Sequence, residues 1–578
     1  MRVLIFHGYL LGGTGSNVYN ASLAAALRRL GHHVDLLCQE RAPERLPFVD
    51  AVGDWDDGPL RLRTLREPVR CTVYRPPLPG GLLPVYVADR YEGVEARPFA
   101  ELSDEEVAAY VAGGVAAVRE VAARARPDVA LANHLVMGPA IVRRALGAVP
   151  YAVKVHGSAL EYTVAPAPQR FLAPAREGVA GARAVLVGSR HVAERLWATL
   201  AEPGLPGRTR LGPPGVDVAR FAPRAPAAAR AGLAALAARL ASRAGEEAAP
   251  RPAPAVSDAP APPAPAASDA SAPPAPAAPA PAASDAPAPP APAAPAAPAA
   301  SSFDRDVGAA ARAVARLAEA PAGDPLVAYV GKLIVSKGVD LLLAAWPLVL
   351  AREPRARLAV VGFGAYRPAL ERLLAALAAG DLDAVAALAA AGRAAEGGPA
   401  GRPLAHLQAF LERLAADAAV RERYLAAARA LPRRVVLTGR LEHDELADLL
   451  PACAAQVVPS TFPEAFGMVA AEAAACGAVP ICAEHSGLAE VAAALAAAAP
   501  EPAREWLAFP LGDGAVEAIA ARVLAVVAAP PALRERTRDA LVATVRERWS
   551  WEGVARGAIA AAEGRLDALP APAPTDPR

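Results

Sequence analysis

Cysteine is scarce. The 578 residues contain five (Cys38, Cys71, Cys453, Cys476 and Cys482), scattered and with no CxxC pair. An odd, sparse set excludes a disulfide framework and points to a reducing, cytoplasmic setting. Aromatic residues make up only 5% of the chain. An excess of one charge is also missing: the formal net charge is +1, so charge alone implies no nucleic acid or other polyelectrolyte partner. No run of 18 apolar residues is free of charge or proline, which argues against a membrane span. A basic amphipathic helix is lacking too, so peripheral contact with a membrane has no motif to carry it. The opening MRVLIFHGYLLGG has no charged segment leading a long apolar one, and is expected to form a strand rather than a secretion signal.

What is present is alternation. RVLIFH (2–7), HHVDLLCQE, DVALANH (128–134), YAVKVHG (151–157) and AVLVGS (184–189) are short apolar runs separated by helical stretches. The pattern restarts with LVAYVGKL, LAVVGFG, RVVLTGR, AAQVVPS and AVPICAE. Such βα alternation predicts two α/β domains, each a doubly wound, Rossmann-like parallel sheet. Between them, 248–300 is nearly pure Ala and Pro, with SDAPAPPAPAA at 257–267 and again at 284–294. It cannot bury enough surface to offset chain entropy and reads as a spacer. The expected organisation is a first domain at 1–222, an Ala/Pro-rich linker at 223–302, and a second domain at 303–535. The second domain carries an Ala-rich helical insertion at about 375–432, read as a surface excursion. A C-terminal helix and tail at 536–578 cross back to the first domain.

Several stretches carry chemistry, and each also has a plain reading. HGYLLGGTGSN (7–17) is a strand-to-helix glycine loop whose N–H groups suit a phosphate or sugar, or which is only a tight turn. From Gly13, GTGSNV has valine where a dinucleotide fingerprint needs its third glycine. GKLIVSKGVD (331–340) places Lys332 and Lys337 near the C-terminal end of a strand, where open sheets bind ligands. Two cations there suit a diphosphate; otherwise they are solvated lysines. His156, in KVHGSAL, ends a strand and faces a cleft or fills a structural role. The Asp-x-Asp pairs in DWDD (54–57) and DLD (381–383) have no strand before them and are expected on solvated surface, with no metal bound. HDEL at 443–446 is internal and is no C-terminal retention signal.

STFPEAFGMVAAEA (460–473) places Glu464 before a helix and Glu472 within it, about two turns in. A glycosidase would hold its two carboxylates roughly 5–9.5 Å apart. Eight helical residues rise about 12 Å. The pair is better suited to gripping two ends of a long ligand. Between them lie the N–H groups of the helix start, around Phe466, Gly467 and Met468, which favour an anion. The site reads as sugar, pyrophosphate and ribose.

With these motifs in order, the chain resembles the retaining glycosyltransferases of family 4, which have the GT-B fold. PEAFGMVAAE matches the family's E-x7-E motif, GKLIVSKG its basic donor-phosphate motif and LTGRLEHDEL its nucleobase loop. GGTGSN matches its N-terminal glycine loop, and PPGVDVARF the stretch entering the interdomain linker. The resemblance implies that Glu464 binds donor-sugar hydroxyls and Glu472 the ribose. It implies that Lys332 and Lys337 neutralise the diphosphate, and that Arg440 and Leu441 meet the base through backbone. His156 then lies near the donor sugar as a further catalytic residue. Gly13 joins the donor side, and Gly15, Ser16 and Asn17 face the acceptor. Position 332 is usually arginine in the family; lysine gives a point charge in place of a bidentate fork. The implied reaction moves a sugar from a nucleotide diphosphate-sugar to a sugar, lipid-linked or small-molecule acceptor, with retention and with no cofactor. The rival readings are a phosphorylase or nucleotide-sugar epimerase of the same fold, and a catalytically inactive binding protein.

Overall fold

Strand Arg2–Phe6 sends Leu4 and Phe6 to one face and Val3 and Ile5 to the other, and all four are buried. Both faces are apolar because helices cover both, as a parallel sheet requires. The computed structural model describes residues 1–55, 58–86, 95–248, 305–399 and 401–572. Among these, the first sheet has nine strands in the order 209–211, 184–187, 151–154, 129–133, 2–6, 33–37, 71–75, 51–54 and 61–64. All pairings are parallel except the hairpin formed by Ala51–Asp54 and Arg61–Thr64. The chain steps from Arg2–Phe6 to His33–Leu37 on one side and later to Val129–Asn133 on the other. That reversal opens a crevice at the strand ends, where His7 and His134 follow.

The second sheet repeats the device with six strands in the order 435–439, 357–361, 326–330, 455–458, 479–483 and 508–509. Its reversal lies between Leu326–Val330 and Ala455–Val458. The two loops that leave those strands carry the lysines and Glu464. The architecture is GT-B: two doubly wound domains facing a central cleft.

Three expectations change. Residues 226–248, expected in the linker, form helix Pro226–Ala248, because Leu233, Leu236 and Leu240 make an apolar stripe buried with Val307 and Val314 of helix Val307–Ala318. The Ala/Pro repeats at 249–304 lie outside the described residues. The insertion is no surface excursion: Val385, Leu407, Phe410, Leu414 and Tyr424 are buried in the core of the second domain. DWDD does follow a strand, Ala51–Asp54; Asp54 pairs with Arg75, while Asp56 and Asp57 lie outside the described residues. In DLD, Asp381 caps helix Leu382–Ala391 through the Ala384 N–H at 2.9 Å.

Helix Pro531–Arg548 packs on the second domain through Leu541 and Val545. Helix Trp551–Glu563 lies in the core of the first, with Trp551, Ala555 and Ile559 beside Val3, Ile5 and Leu23. All five cysteines are free and buried. Among the described residues, no single helix is long and apolar enough to cross a membrane.

Candidate active site

The two loops at the second sheet's reversal lie backbone against backbone. Thr461 donates its N–H to the Ser336 carbonyl at 2.9 Å. Gly338 has φ +64°, and a Cβ there would meet the Pro459 carbonyl oxygen at 2.0 Å, so only glycine permits the approach. The approach brings the Lys337 ammonium onto Oε1 of Glu464. Ser460 Oγ donates to the same oxygen at 2.6 Å, and the Glu464 N–H donates to Ser486 Oγ at 2.8 Å. His485 completes the support, donating from Nε2 to the Ser460 carbonyl at 2.6 Å and accepting from Ser486 at Nδ1. Burial pushes the Glu464 carboxyl up, but Lys337 and Ser460 outweigh it and hold it below the usual range.

Helix Met468–Cys476 begins at Gly467, whose φ is +118° and which offers no side chain to cap the first N–H groups. Phe466 is buried beside it. Glu472 is the fifth residue of this helix, in its second turn, so only part of the span from Glu464 is helical and the 12 Å rise does not apply to it. The Glu472 carboxylate is buried and accepts from His443 Nε2 at 2.9 Å. Its charge raises the His443 pKa above the ordinary histidine value. In the same loop, Arg440 lies 5.6 Å over the Phe363 ring and reaches Glu442, and Leu441 is buried. Lys332 leaves strand Leu326–Val330, and its carbonyl accepts from Tyr329 Oη at 2.9 Å.

Across the cleft, Gly13 takes φ +92° and helix Gly15–Arg29 starts with Ser16 and Asn17 in its first turn. Asn17 is buried and already engaged: its amide donates to the Gly12 carbonyl at 2.7 Å and its Oδ1 accepts from His7 Nε2 at 3.1 Å. Ser16 Oγ lies 3.4 Å from Thr14 Oγ1. Gly15 lies close to Met468 of the second domain. His156 donates from Nε2 to Asn133 Oδ1 at 2.9 Å and meets Tyr19 edge-on. Burial, with His134, Lys154 and His7 nearby, drives its pKa well below the ordinary value, so the ring is neutral. The domains also touch directly: the carboxylate of Glu490 accepts from the Arg190 and His191 N–H groups at 2.8 and 3.0 Å, at the start of helix Arg190–Leu200.

The structure thus gathers Lys337, Glu464 and the helix start at Met468 in one place, with Glu472 one turn deeper and His156 on the opposing domain. Sequence reasoning missed His443, Ser460, His485 and His134. His134 is buried at φ +67°, and among the described residues neither of its ring nitrogens has a hydrogen-bond partner. One signal was available. Of 60 basic residues only three are lysine: Lys154, Lys332 and Lys337. A chain that otherwise uses arginine keeps compact ammonium groups at the site and directly beneath it.

Lys154 is that third lysine. It is buried, donates to the Gly212 carbonyl at 2.6 Å and lies over the Tyr19 ring. Burial pushes its pKa down to about 7. In the unfolded chain a lysine keeps its proton to about pH 10.4. Between these values the unfolded chain binds more protons, so wild-type stability rises with pH across that window. Lys154→Met should therefore gain most over wild type near pH 6, and the gain should shrink toward pH 10. Denaturant unfolding of both proteins at pH 6, 8 and 10 checks this; a pH-independent difference refutes the buried charge.

Residues 14–204 match the model of the glycosyl transferase 4-like domain, and residues 417–508 that of glycosyl transferases group 1. The chain is a glycosyltransferase of the GT-B fold, in agreement with its resemblance to family 4. Solved structures agree on the fold. Sucrose-phosphate synthase from Thermosynechococcus elongatus aligns with TM-score 0.51 at 18% identity, covering 98% of each chain. The catalytic domain of starch synthase IV from Arabidopsis thaliana, bound to ADP and acarbose, gives 0.51 at 12% identity over 97% of this chain and 98% of that one. An alpha,alpha-trehalose-phosphate synthase (UDP-forming) from Burkholderia vietnamiensis gives 0.50 at 13% identity over 98% of each. No curated protein sequence matches the chain.

Proposed function

We propose that the protein transfers a glycosyl group from a nucleoside diphosphate-sugar to an acceptor hydroxyl, with retention at the anomeric carbon. The observation that carries this reading is the Lys337–Glu464 pair at the second domain's strand reversal, beside an uncapped helix start, with a neutral histidine on the opposing domain. The diphosphate takes Lys332, Lys337 and the Met468 N-terminus. Glu464 holds the sugar hydroxyls. Glu472, braced by His443, holds the ribose, and the loop at Arg440 and Leu441 borders the base. The likeness to an ADP-bound starch synthase and a UDP-forming synthase supports a nucleotide donor.

The hard step is departure of the diphosphate. As the bond from anomeric carbon to phosphate oxygen breaks, negative charge grows on the diphosphate, where the ammonium groups and helix N–H groups are already oriented. The acceptor oxygen bonds to the same face of the sugar, and its proton passes to the leaving phosphate oxygen. Neutral His156 can hydrogen-bond the sugar without repelling the positive charge on its ring.

The test is a screen of UDP-, ADP- and GDP-sugars for nucleoside diphosphate release, with and without simple sugar acceptors, followed by NMR of the product's anomeric centre. Release with an axial donor bond preserved in the product is expected. Inversion overturns retention. Release that requires inorganic phosphate, or isomerised donor without transfer, overturns the transferase assignment.

A further inference from the structure

The insertion at about 375–432 ends up at the donor loop. Its short helical turn Gly392–Glu396 carries Glu396 to the middle of GKLIVSKG, where Oε2 accepts the Val335 N–H at 2.7 Å. The two residues are 61 apart in sequence, so the contact exists only because the insertion folds back. The Glu396 side chain is 10% exposed. Its other oxygen, Oε1, takes the Arg393 guanidinium at 3.1 Å.

A carboxylate beside a diphosphate loop is at first sight a defect, since it repels the anion that Lys332 and Lys337 attract. Two features offset this. Arg393 neutralises the charge from the solvent side. In return, the bond to Val335 restrains the backbone between the two lysines, in the segment that ends in the turn Val335–Lys337. Backbone preorganised before the ligand arrives costs no ordering when it binds.

We infer that Glu396 is a positioning residue for the diphosphate-binding loop and that Arg393 is its charge partner, so that the insertion is a working part of the donor site. This rests on the functional reading above. Glu396 does not touch the donor; it acts through Val335 on Lys337.

The experiment compares wild type, Glu396→Ala, Glu396→Gln and Arg393→Ala in the full chain. Hydrogen exchange of the ligand-free proteins reads the loop itself. Titration with UDP, ADP, GDP and inorganic pyrophosphate reads the site. Glu396→Ala should speed exchange in the peptide spanning 332–338 and weaken pyrophosphate and the preferred nucleotide alike, by about tenfold, the scale for losing one charge-assisted hydrogen bond. Glu396→Gln keeps an acceptor oxygen and should restore most of both. Arg393→Ala leaves the carboxylate uncompensated, so it should weaken both anions while exchange at 332–338 changes little. Apparent acceptor affinity should be unchanged throughout, which a general loss of fold would not allow.

Unchanged exchange in Glu396→Ala overturns the proposal, as does faster exchange with wild-type anion binding. Failure of Glu396→Gln to rescue also overturns it. A wild type that binds none of the four probes overturns the donor reading itself and takes this proposal with it. That outcome is distinguishable because it appears before any residue is changed.

Discussion

Lys337→Ala should lower kcat/KM by roughly two or more orders of magnitude, the scale for removing a preorganised donor at a developing charge. The ammonium does two things at once. It faces the leaving diphosphate, and it pairs with Glu464. Without it, the burial that pushes the Glu464 carboxyl up is opposed mainly by Ser460. The acidic limb of the pH–rate profile should therefore move to higher pH in the variant, because more of the Glu464 population is protonated at a given pH. Lys332→Arg should be tolerated or faster, since arginine offers a fork to the same phosphates. Steady-state kinetics across pH 5 to 9 reads all three. Near-wild-type turnover by Lys337→Ala removes its diphosphate role.

Glu464→Ala and Glu472→Ala should fail in different ways. Glu472 is buried in the second turn of its helix and already braced by His443. Its proposed ligand, the ribose, does not change during the reaction, so its contact is equal in ground and transition states. Losing it should mainly raise donor KM and weaken free nucleoside diphosphate binding. The His443 pKa should also fall in this variant, because the Glu472 charge is the main cause of its rise.

Glu464 is proposed to touch the sugar, whose ring gains positive charge as the diphosphate leaves. That contact strengthens in the transition state, so Glu464→Ala should mainly lower kcat while nucleotide binding survives. Survival is visible as ligand-induced stabilisation, about 2.7 kcal/mol at a hundred times Kd. Loss of nucleotide stabilisation in Glu464→Ala with retention in Glu472→Ala would place the donor the other way round. No effect of either on binding or turnover would leave the pair with a structural role only.

Much of this molecule follows from local pattern. Short apolar runs flanked by helical stretches specify βα units, because a strand buried on both faces must be apolar throughout and a helix must cover each face. All ten apolar runs recognised in the sequence are strands. The chemistry was local as well: glycines where backbones must approach, lysines after one strand, a glutamate after another. Strand Arg61–Thr64 was not legible, because it is exposed at every position and has no apolar run. Helix Pro226–Ala248 was hidden by an alanine-rich composition that continues into the repeats, although three leucines at helical spacing marked its buried stripe.

Only the tertiary structure decided which loops meet. Lys337 and Glu464 are 127 residues apart, and they pair because the second sheet reverses its order between their two strands. His443 reaches Glu472 across 29 residues of sequence, and Glu396 reaches Val335 across 61. Periodicity records which face of an element is buried. It carries no record of which distant element lies against that face, because that choice is made by strand order and by the closing of long loops.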